Sequence, residues 1–295
     1  MNKLHRLTSI QNLPTLPEIS LRIQKMVNSD EGDAVQLSRI IQEDPALSAR
    51  ILKVANSSLF GATKRISSIP FAITRIGFNE VGNIALAVSI IKEFPVKSNV
   101  LDYKLFWKHA LTAAHMASKT AQVGCIEFTP DQRHALFLAG LLHDIGILIY
   151  DQFFHAEFES IIDYAIKHEV SYLEAEQAVA PKENHAALGA ALLEFWKLDP
   201  AVISGVRFHH TPQKAPMNYK ATTSSTYLSE YILCNSGLGS FEGLMIERAD
   251  DTLKYLNLTP DILMKYIQQA ESDVKRSDLV MAMETSGETL QLRTV

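Results

Sequence analysis

The sequence of 295 residues is poor in cysteine, and this bounds where the protein works. Its 2 cysteines, Cys125 and Cys234, are too few and too far apart for the disulfide framework of a small secreted domain. Neither has a partner at CxxC spacing. This cysteine usage predicts a reducing, cytoplasmic setting.

The chain also lacks a basic excess and a long apolar run. Its net charge is -5 at pH 7, which leaves no electrostatic footprint for nucleic acid. The N-terminal stretch has no signal-peptide core, and no uninterrupted apolar run approaches the roughly 18 to 20 residues of a membrane helix. We therefore expect a soluble protein with no membrane partner, and nucleic-acid binding is disfavoured.

Glycine and proline are sparse, at 13 and 11 residues, while apolar residues recur at helical spacing almost everywhere. This pattern predicts an all-α fold without a sheet. We expect an N-terminal helical bundle over residues 10–96, a second helical domain over 102–240, and C-terminal helices with a loose tail over 241–295. Within the second domain, a polar loop is predicted from Thr211 to Ser225, and periodicity fails from Glu284 onward.

The stretch GLLHDIGIL, residues 140–148, places His143 and Asp144 inside an apolar run. Burying two such groups costs about 1 to 3 kcal/mol each unless something pairs them. One explanation is hydrogen bonding to each other and to the neighbouring backbone. The other is a metal ion, and the positions of the remaining histidines bear on that choice.

Further imidazole and carboxylate groups lie on several predicted helices. His109 lies on a small-residue face where another helix can approach, which makes it a better ligand candidate than His115. Single histidines are more often structural, and a surface His-His pair is usually solvated. As a set, however, these groups suit an iron, manganese or zinc ion that could assist phosphate ester hydrolysis. The candidate metal ligands are His109, His143, Asp144, His185, His209, His210 and Glu230.

Three N-terminal blocks, LPTLPEISLRIQKMV, IIQEDPALSARILKVANSSLFG and RISSIPFAITRIGFNEVGNIAL, precede these histidines in order. Together they resemble the HDOD domain, the HD-related output domain of bacterial signalling proteins, over roughly residues 10–235. That domain is related to the HD superfamily of metal-dependent phosphohydrolases. The resemblance implies a helical bundle packed on an HD-like helical domain, and a role in bacterial signal transduction.

The resemblance also implies roles for particular residues. HD enzymes hold metal through a first histidine, the His-Asp doublet and a later aspartate, which are similar to His109, His143, Asp144 and, with one more methylene, Glu230. The related HD-GYP phosphodiesterases use further histidines resembling His185, His209 and His210. They also carry a phosphate-binding lysine directly after HDIG, where this chain has Ile147, and a GYP segment that TPQKAPMNY replaces here.

Two functional hypotheses follow from these features. The first is an HDOD-type regulatory module that works through a signalling protein partner, with or without metal. The alternative is a metal-dependent phosphohydrolase acting on a phosphodiester or nucleotide ligand, with Asp144 catalytic and with Arg207 and Lys214 as candidates for neutralising the substrate phosphate. A helix-turn-helix reading of the short helices lacks the clustered basic residues that DNA contact requires.

Overall fold

A computed structural model describes residues 7, 13–28, 32–57, 60, 65–122, 126–181, 183–235 and 250–288. These residues form helices joined by short connections, with no strand in any of the ranges given. The prediction of an all-α fold is therefore confirmed. Cys125 and the loop at residues 61–64 lie outside the described residues.

The chain divides into two compact units, and the division does not follow sequence order throughout. Residues 14–95 and the residues from Val274 onward form the first unit, whereas Leu7, Leu13 and residues 96–273 belong to the second. The sequence predicts domain limits at residues 10–96, 102–240 and 241–295. The division into compact units does not test these limits, which stay predictions.

Among its described residues, the first unit has five α-helices before residue 96. Asp33 and Asp44 cap two of them, because each side chain accepts hydrogen bonds from backbone N–H groups of the first turn. Gly77, at φ 101°, ends one helix and caps the next, so the long apolar helix begins at Phe78. The helices are α1 (Glu18–Val27), α2 (Ala34–Gln42), α3 (Pro45–Ala55), α4 (Ile69–Ile76) and α5 (Phe78–Ile91).

The second unit carries all seven candidate ligands. Its helices are α6 (Tyr103–Thr120), α7 (Pro130–Leu142), α8 (Ile145–Phe153), α9 (His155–His168), α10 (Tyr172–Val179), α11 (His185–Phe195), α12 (Pro200–Phe208), α13 (Lys220–Asn235) and α14 (Asp250–Tyr255). The last helix, α15 (Pro260–Glu288), begins in this unit and continues past its limit at Asp273. Tyr266 and Asp273 of α15 bond to α6, the first through its hydroxyl to Met116 O and the second to Lys119 Nζ at 2.6 Å.

One apolar stretch, Gln132–Phe153, is long and apolar enough by composition to cross a membrane. Its most apolar 18-residue window is 89% buried inside the protein, as the core helix of a globular protein would be. The His143-Asp144 doublet interrupts it, since α7 ends at Leu142 and α8 begins at Ile145.

The predicted loop from Thr211 to Ser225 is wrong over its second half. Two short 3-10 turns, Pro212–Lys214 and Met217–Tyr219, occupy the first half, and α13 already begins at Lys220. Hydroxyl-bearing residues fill the first turns of α13 and are fully buried. They fit a helix because their hydroxyls can bond to carbonyls one turn back, as Ser225 does to Ala221 O at 2.9 Å.

The C-terminal segment differs from expectation in a similar way. Of the C-terminal helices predicted over residues 241–295, the first is described from Asp250 to Tyr255, and residues 236–249 lie outside the described residues. The backbone stays helical beyond Glu284, to Glu288, where the sequence pattern predicts a loose tail. Residues 289–295 lie outside the described residues.

Candidate metal centre

The centre is built around the break between α7 and α8. His143 forms the C-terminal cap of α7 and Asp144 the N-terminal cap of α8, with backbone angles φ -97° and ψ 8° at Asp144. Both side chains are buried, at 0% and 3% exposure. His143 and Asp144 therefore lie between two helices, and both side chains remain in the core.

Two glycines let the neighbouring helices approach this break closely. A Cβ atom on Gly140 of α7 would lie 2.7 Å from the Ala114 Cα of α6, which is why α6 can bring His109 beside His143. A Cβ atom on Gly146 of α8 would lie 1.8 Å from the His185 carbonyl oxygen at the start of α11. Only glycine fits these crossings, because a side chain would collide with backbone atoms.

The first group of ligand atoms consists of His109, His143, Asp144 and Glu230. Glu230 Oε2 lies 2.7 Å from His109 Nε2 and 3.0 Å from His143 Nε2, and the two Nε2 atoms are 3.1 Å apart. Asp144 Oδ2 completes the group at 3.2 Å from His143 Nε2 and 3.7 Å from His109 Nε2.

The second group consists of Asp144, His185, His209 and His210. His185 Nε2 lies 3.3 Å from His209 Nε2 and 3.0 Å from His210 Nε2. Asp144 Oδ1, the carboxylate oxygen that the first group does not use, lies 3.4 Å from His185 Nε2 and 3.5 Å from His209 Nε2. The structure therefore brings all seven predicted ligands together as two groups that share Asp144.

Backbone contacts fix the tautomers of two of these rings. His143 Nδ1 lies 2.7 Å from Gly140 O and His209 Nδ1 lies 2.6 Å from Val206 O. A carbonyl oxygen only accepts, so each Nδ1 carries the proton, and the Nε2 atom of the neutral ring presents a lone pair. At His143, Nε2 faces two carboxylate oxygens, and this contact is favourable only when a proton or a metal ion lies between them.

The donor set fits divalent metal ions. Donors about 2.0 to 2.2 Å from an ion lie about 2.8 to 3.6 Å from one another in tetrahedral or octahedral coordination. The contacts within the two groups, at 2.7 to 3.7 Å and 3.0 to 3.5 Å, cover that range. Mixed imidazole and carboxylate donors suit zinc, iron or manganese alike.

Charge in the cluster favours a cation as well. Burial lowers the pKa of His143, but the Asp144 and Glu230 carboxylates outweigh burial and leave that pKa well above its ordinary value. Burial is likewise outweighed at His185, where Glu176 and Asp144 raise the pKa to about 10. The buried carboxylates thus hold positive charge in the cluster, as protons on the rings or as metal ions.

At His209 and His210 the pKa shifts have the opposite direction. Burial lowers the pKa of His209, and burial together with the neighbouring His209 ring lowers the pKa of His210 well below its ordinary value. Both rings are therefore neutral near pH 7, which is the form that binds a metal ion. His210 is also the only member of the seven that is partly exposed.

Two residues that the sequence analysis missed contact candidate ligands through the ligand atoms that face away from the cluster. Glu176 on α10 is 1% exposed and contacts His185 Nδ1 at 2.9 Å through Oε2. Cys234 Sγ donates to Glu230 Oε1 at 2.9 Å, one helical turn along α13. Burial raises the pKa of the Cys234 thiol, so it stays a protonated donor. The i, i+4 spacing of Glu230 and Cys234 on one helix was a readable signal, whereas nothing local marks Glu176.

The residues predicted to meet phosphate have other surroundings. Arg207 Nη2 lies 2.6 Å from Glu194 Oε1, in an ion pair whose Arg207 side chain is 32% exposed. Lys214 is exposed in the first 3-10 turn. These contacts do not connect either residue to the histidine cluster, so their role stays a prediction. Ile147 is 1% exposed within the core.

A family model for the HDOD domain matches residues 13–212. The chain belongs to the HDOD domain family. Its sequence is 26% identical over 292 residues to an uncharacterised protein from Treponema pallidum (strain Nichols), covering 96% of this chain and 50% of that protein. This HDOD chain thus spans about half the length of the curated relative it matches.

Two solved structures share the fold of this HDOD protein. A proposed signal transduction protein from Marinobacter aquaeolei VT8 is 23% identical with a TM-score of 0.73, over 92% of this chain and 58% of that one. A proposed phosphohydrolase from Shewanella amazonensis SB2B is 20% identical with a TM-score of 0.69, over 95% and 97% of the two chains. At these identities the likeness concerns the fold alone.

Proposed function

We propose that this HDOD protein is a regulatory signalling module whose second unit holds two divalent metal ions. The observation that carries the proposal is the Asp144 carboxylate, which turns one oxygen to His143 and the other to His185. One group would hold the first ion and the other group the second, with Asp144 shared. A reducing, cytoplasmic setting is part of the proposal because Cys234 is a buried free thiol.

Burial favours a regulatory role over an open catalytic site. Six of the seven ligand residues are between 0% and 3% exposed, so a large substrate has little access to them. Bound ions in such a place would fix the interior of α6 and the starts of α8 and α11 relative to one another, and so stabilise one arrangement of the unit for a signalling protein partner.

A second candidate function is hydrolysis of a phosphodiester or nucleotide, favoured by the pairing of two metal groups and the partial exposure of His210. Two adjacent ions would polarise a phosphoryl oxygen and assist a water nucleophile. The buried Ile147 argues against it, because HD-GYP enzymes have a phosphate-binding lysine at that position, and an isoleucine cannot neutralise a phosphate.

Metal content and turnover separate these functions. The protein is purified without chelator and without an immobilised-nickel step, and its metal is measured by mass spectrometry. Turnover is then tested on cyclic dinucleotides and a chromogenic phosphodiester with added manganese or iron. Two ions without turnover support the regulatory module, and turnover that His143→Ala abolishes and His168→Ala preserves supports the hydrolase. Absence of metal under all these conditions would refute both.

A further inference from the structure

Glu176 holds His185 from the side opposite the cluster. Its Oε2 and Oε1 atoms lie 2.9 Å and 3.1 Å from His185 Nδ1, and Oε1 also accepts the His185 backbone N–H at 2.6 Å. The carboxylate therefore fixes both the ring and the backbone at the first residue of α11. His185 Nε2 faces His209 and His210 on the other side.

The local sequence fixes where Glu176 is placed. Ser171 and Glu174 form a capping box at the start of α10, which sets the register of that short helix. Tyr172 and Ala175 are buried along with Glu176, so this face of α10 packs into the unit. A carboxylate on such a face needs strong partners, and His185 provides two donors.

The two metal groups differ in their own charge. The group of His109 and His143 includes Glu230 in addition to its share of Asp144. The group of His185, His209 and His210 has three neutral donors and only the share of Asp144. A divalent ion in this second group lacks a carboxylate of its own, and Glu176 is the negative charge that lies directly behind one of its ligands.

We propose that Glu176 is a positioning residue for the second metal group: it accepts Nδ1–H of His185, aims Nε2 at the ion and balances the ion's charge through the ring. Backbone carbonyls accept the Nδ1 protons of His143 and His209 instead, and a neutral carbonyl is a weaker acceptor than a carboxylate. The inference deepens the proposed two-metal function and rests on it.

The test compares Glu176→Gln with the matched variant Glu174→Gln. Both changes remove one negative charge from α10, but Glu174 is exposed and a glutamine keeps its capping box. Metal-free protein is titrated with Co²⁺ alone, and binding is followed by visible absorption and by calorimetry. We expect two ions in the wild type and in Glu174→Gln, and in Glu176→Gln one ion with unchanged affinity and one weakened about 10- to 100-fold.

The failures of the two proposals are distinguishable. If the wild type takes up no Co²⁺, the two-metal function is wrong. If the wild type and Glu176→Gln bind two ions with the same affinities, only the role of Glu176 is wrong. A variant that weakens both ions equally would also overturn it, since the second group alone should respond.

A measurement on the unchanged protein keeps the inference testable if Glu176→Gln does not fold. Long-range proton–nitrogen NMR spectra of the zinc-loaded wild type report which ring nitrogen of each histidine carries the proton. We expect the proton of His185 on Nδ1, shifted downfield by its bond to a carboxylate relative to the Nδ1 protons of His143 and His209. A proton on Nε2 of His185 would overturn the proposal.

Discussion

Gly146 lies directly against the carbonyl of His185, so that a Cβ atom added to it would come within 1.8 Å of that oxygen and 2.9 Å of the Gly189 nitrogen. The crossing of α8 and α11 at this point brings Asp144, two residues before Gly146, to the first residue of α11. The second metal group depends on this backbone contact as much as on its ligands.

Gly146→Ala should therefore destabilise the protein and disrupt the second metal group. The added methyl group meets backbone atoms, which cannot move aside as a flexible side chain would. We expect a loss of about 1 to 3 kcal/mol or more in the free energy of unfolding, measured by urea denaturation. An unchanged unfolding midpoint would show that α8 and α11 are not in the close contact described.

Asp144→Asn should remove more metal than any other single ligand change. Asp144 is the one residue that both groups share, and an amide offers a neutral oxygen in place of a charged carboxylate. We expect metal content to fall from two ions per chain to none, whereas Glu230→Gln should leave the ion of the second group in place. Mass spectrometry after dialysis measures both, and equal losses in the two variants would contradict a shared carboxylate.

Metal uptake should release protons and weaken in acid. In the metal-free protein, the carboxylates raise the pKa values of His109, His143 and His185, which favours the protonated rings. An ion requires neutral rings and must displace those protons. Calorimetry in buffers of different ionisation enthalpy should show proton release at pH 7 and an affinity that rises with pH. Uptake without proton release would contradict the charge balance described.

The metal-free protein should lose stability as the pH rises above about 6.5. The pKa of His185 rises from 6.5 to about 10 in the fold, so the folded chain keeps a proton that the unfolded chain releases. Its contribution is fully present below pH 6.5 and lost towards pH 10, with a slope of about 1.4 kcal/mol per pH unit per retained proton.

Urea denaturation of chelator-treated protein between pH 6.5 and 9 measures this slope. His185→Gln should flatten it, because glutamine does not titrate in this range. A slope that is the same in the wild type and in His185→Gln would assign the pH dependence to other groups.

The sequence was sufficient to predict the helical class and the residues that could form a metal site. His143 and Asp144 stand out because they are polar within an apolar run, and the order of the other histidines narrows the choice of partners. The sharing of Asp144 was not predictable, because it depends on the crossings at Gly140 and Gly146. The two crossings place three helices around the Asp144 side chain. They are close tertiary contacts that no local sequence pattern indicates.

The errors have a common physical origin in buried polar residues. Thr222 to Thr226 reads as a loop by composition, yet these side chains are fully buried in α13 against partners such as Ser204, whose hydroxyl lies 3.1 Å from that of Thr223. Glu176 reads as an ordinary solvated glutamate of an amphipathic helix. For Thr223 and Glu176, tertiary packing supplies hydrogen-bond partners that the sequence alone does not reveal.

The partial exposure of His210 gives the cluster an inside and an outside. An ion in the second group meets solvent beside His210, while an ion among His109, His143 and Glu230 is enclosed by fully buried side chains. In the proposed two-metal state, exchange would therefore be ordered: the inner ion would load first and leave last. A chelator should remove metal from the loaded protein in two phases. The rate of the slow phase determines how long the protein keeps its inner ion after metal is withdrawn.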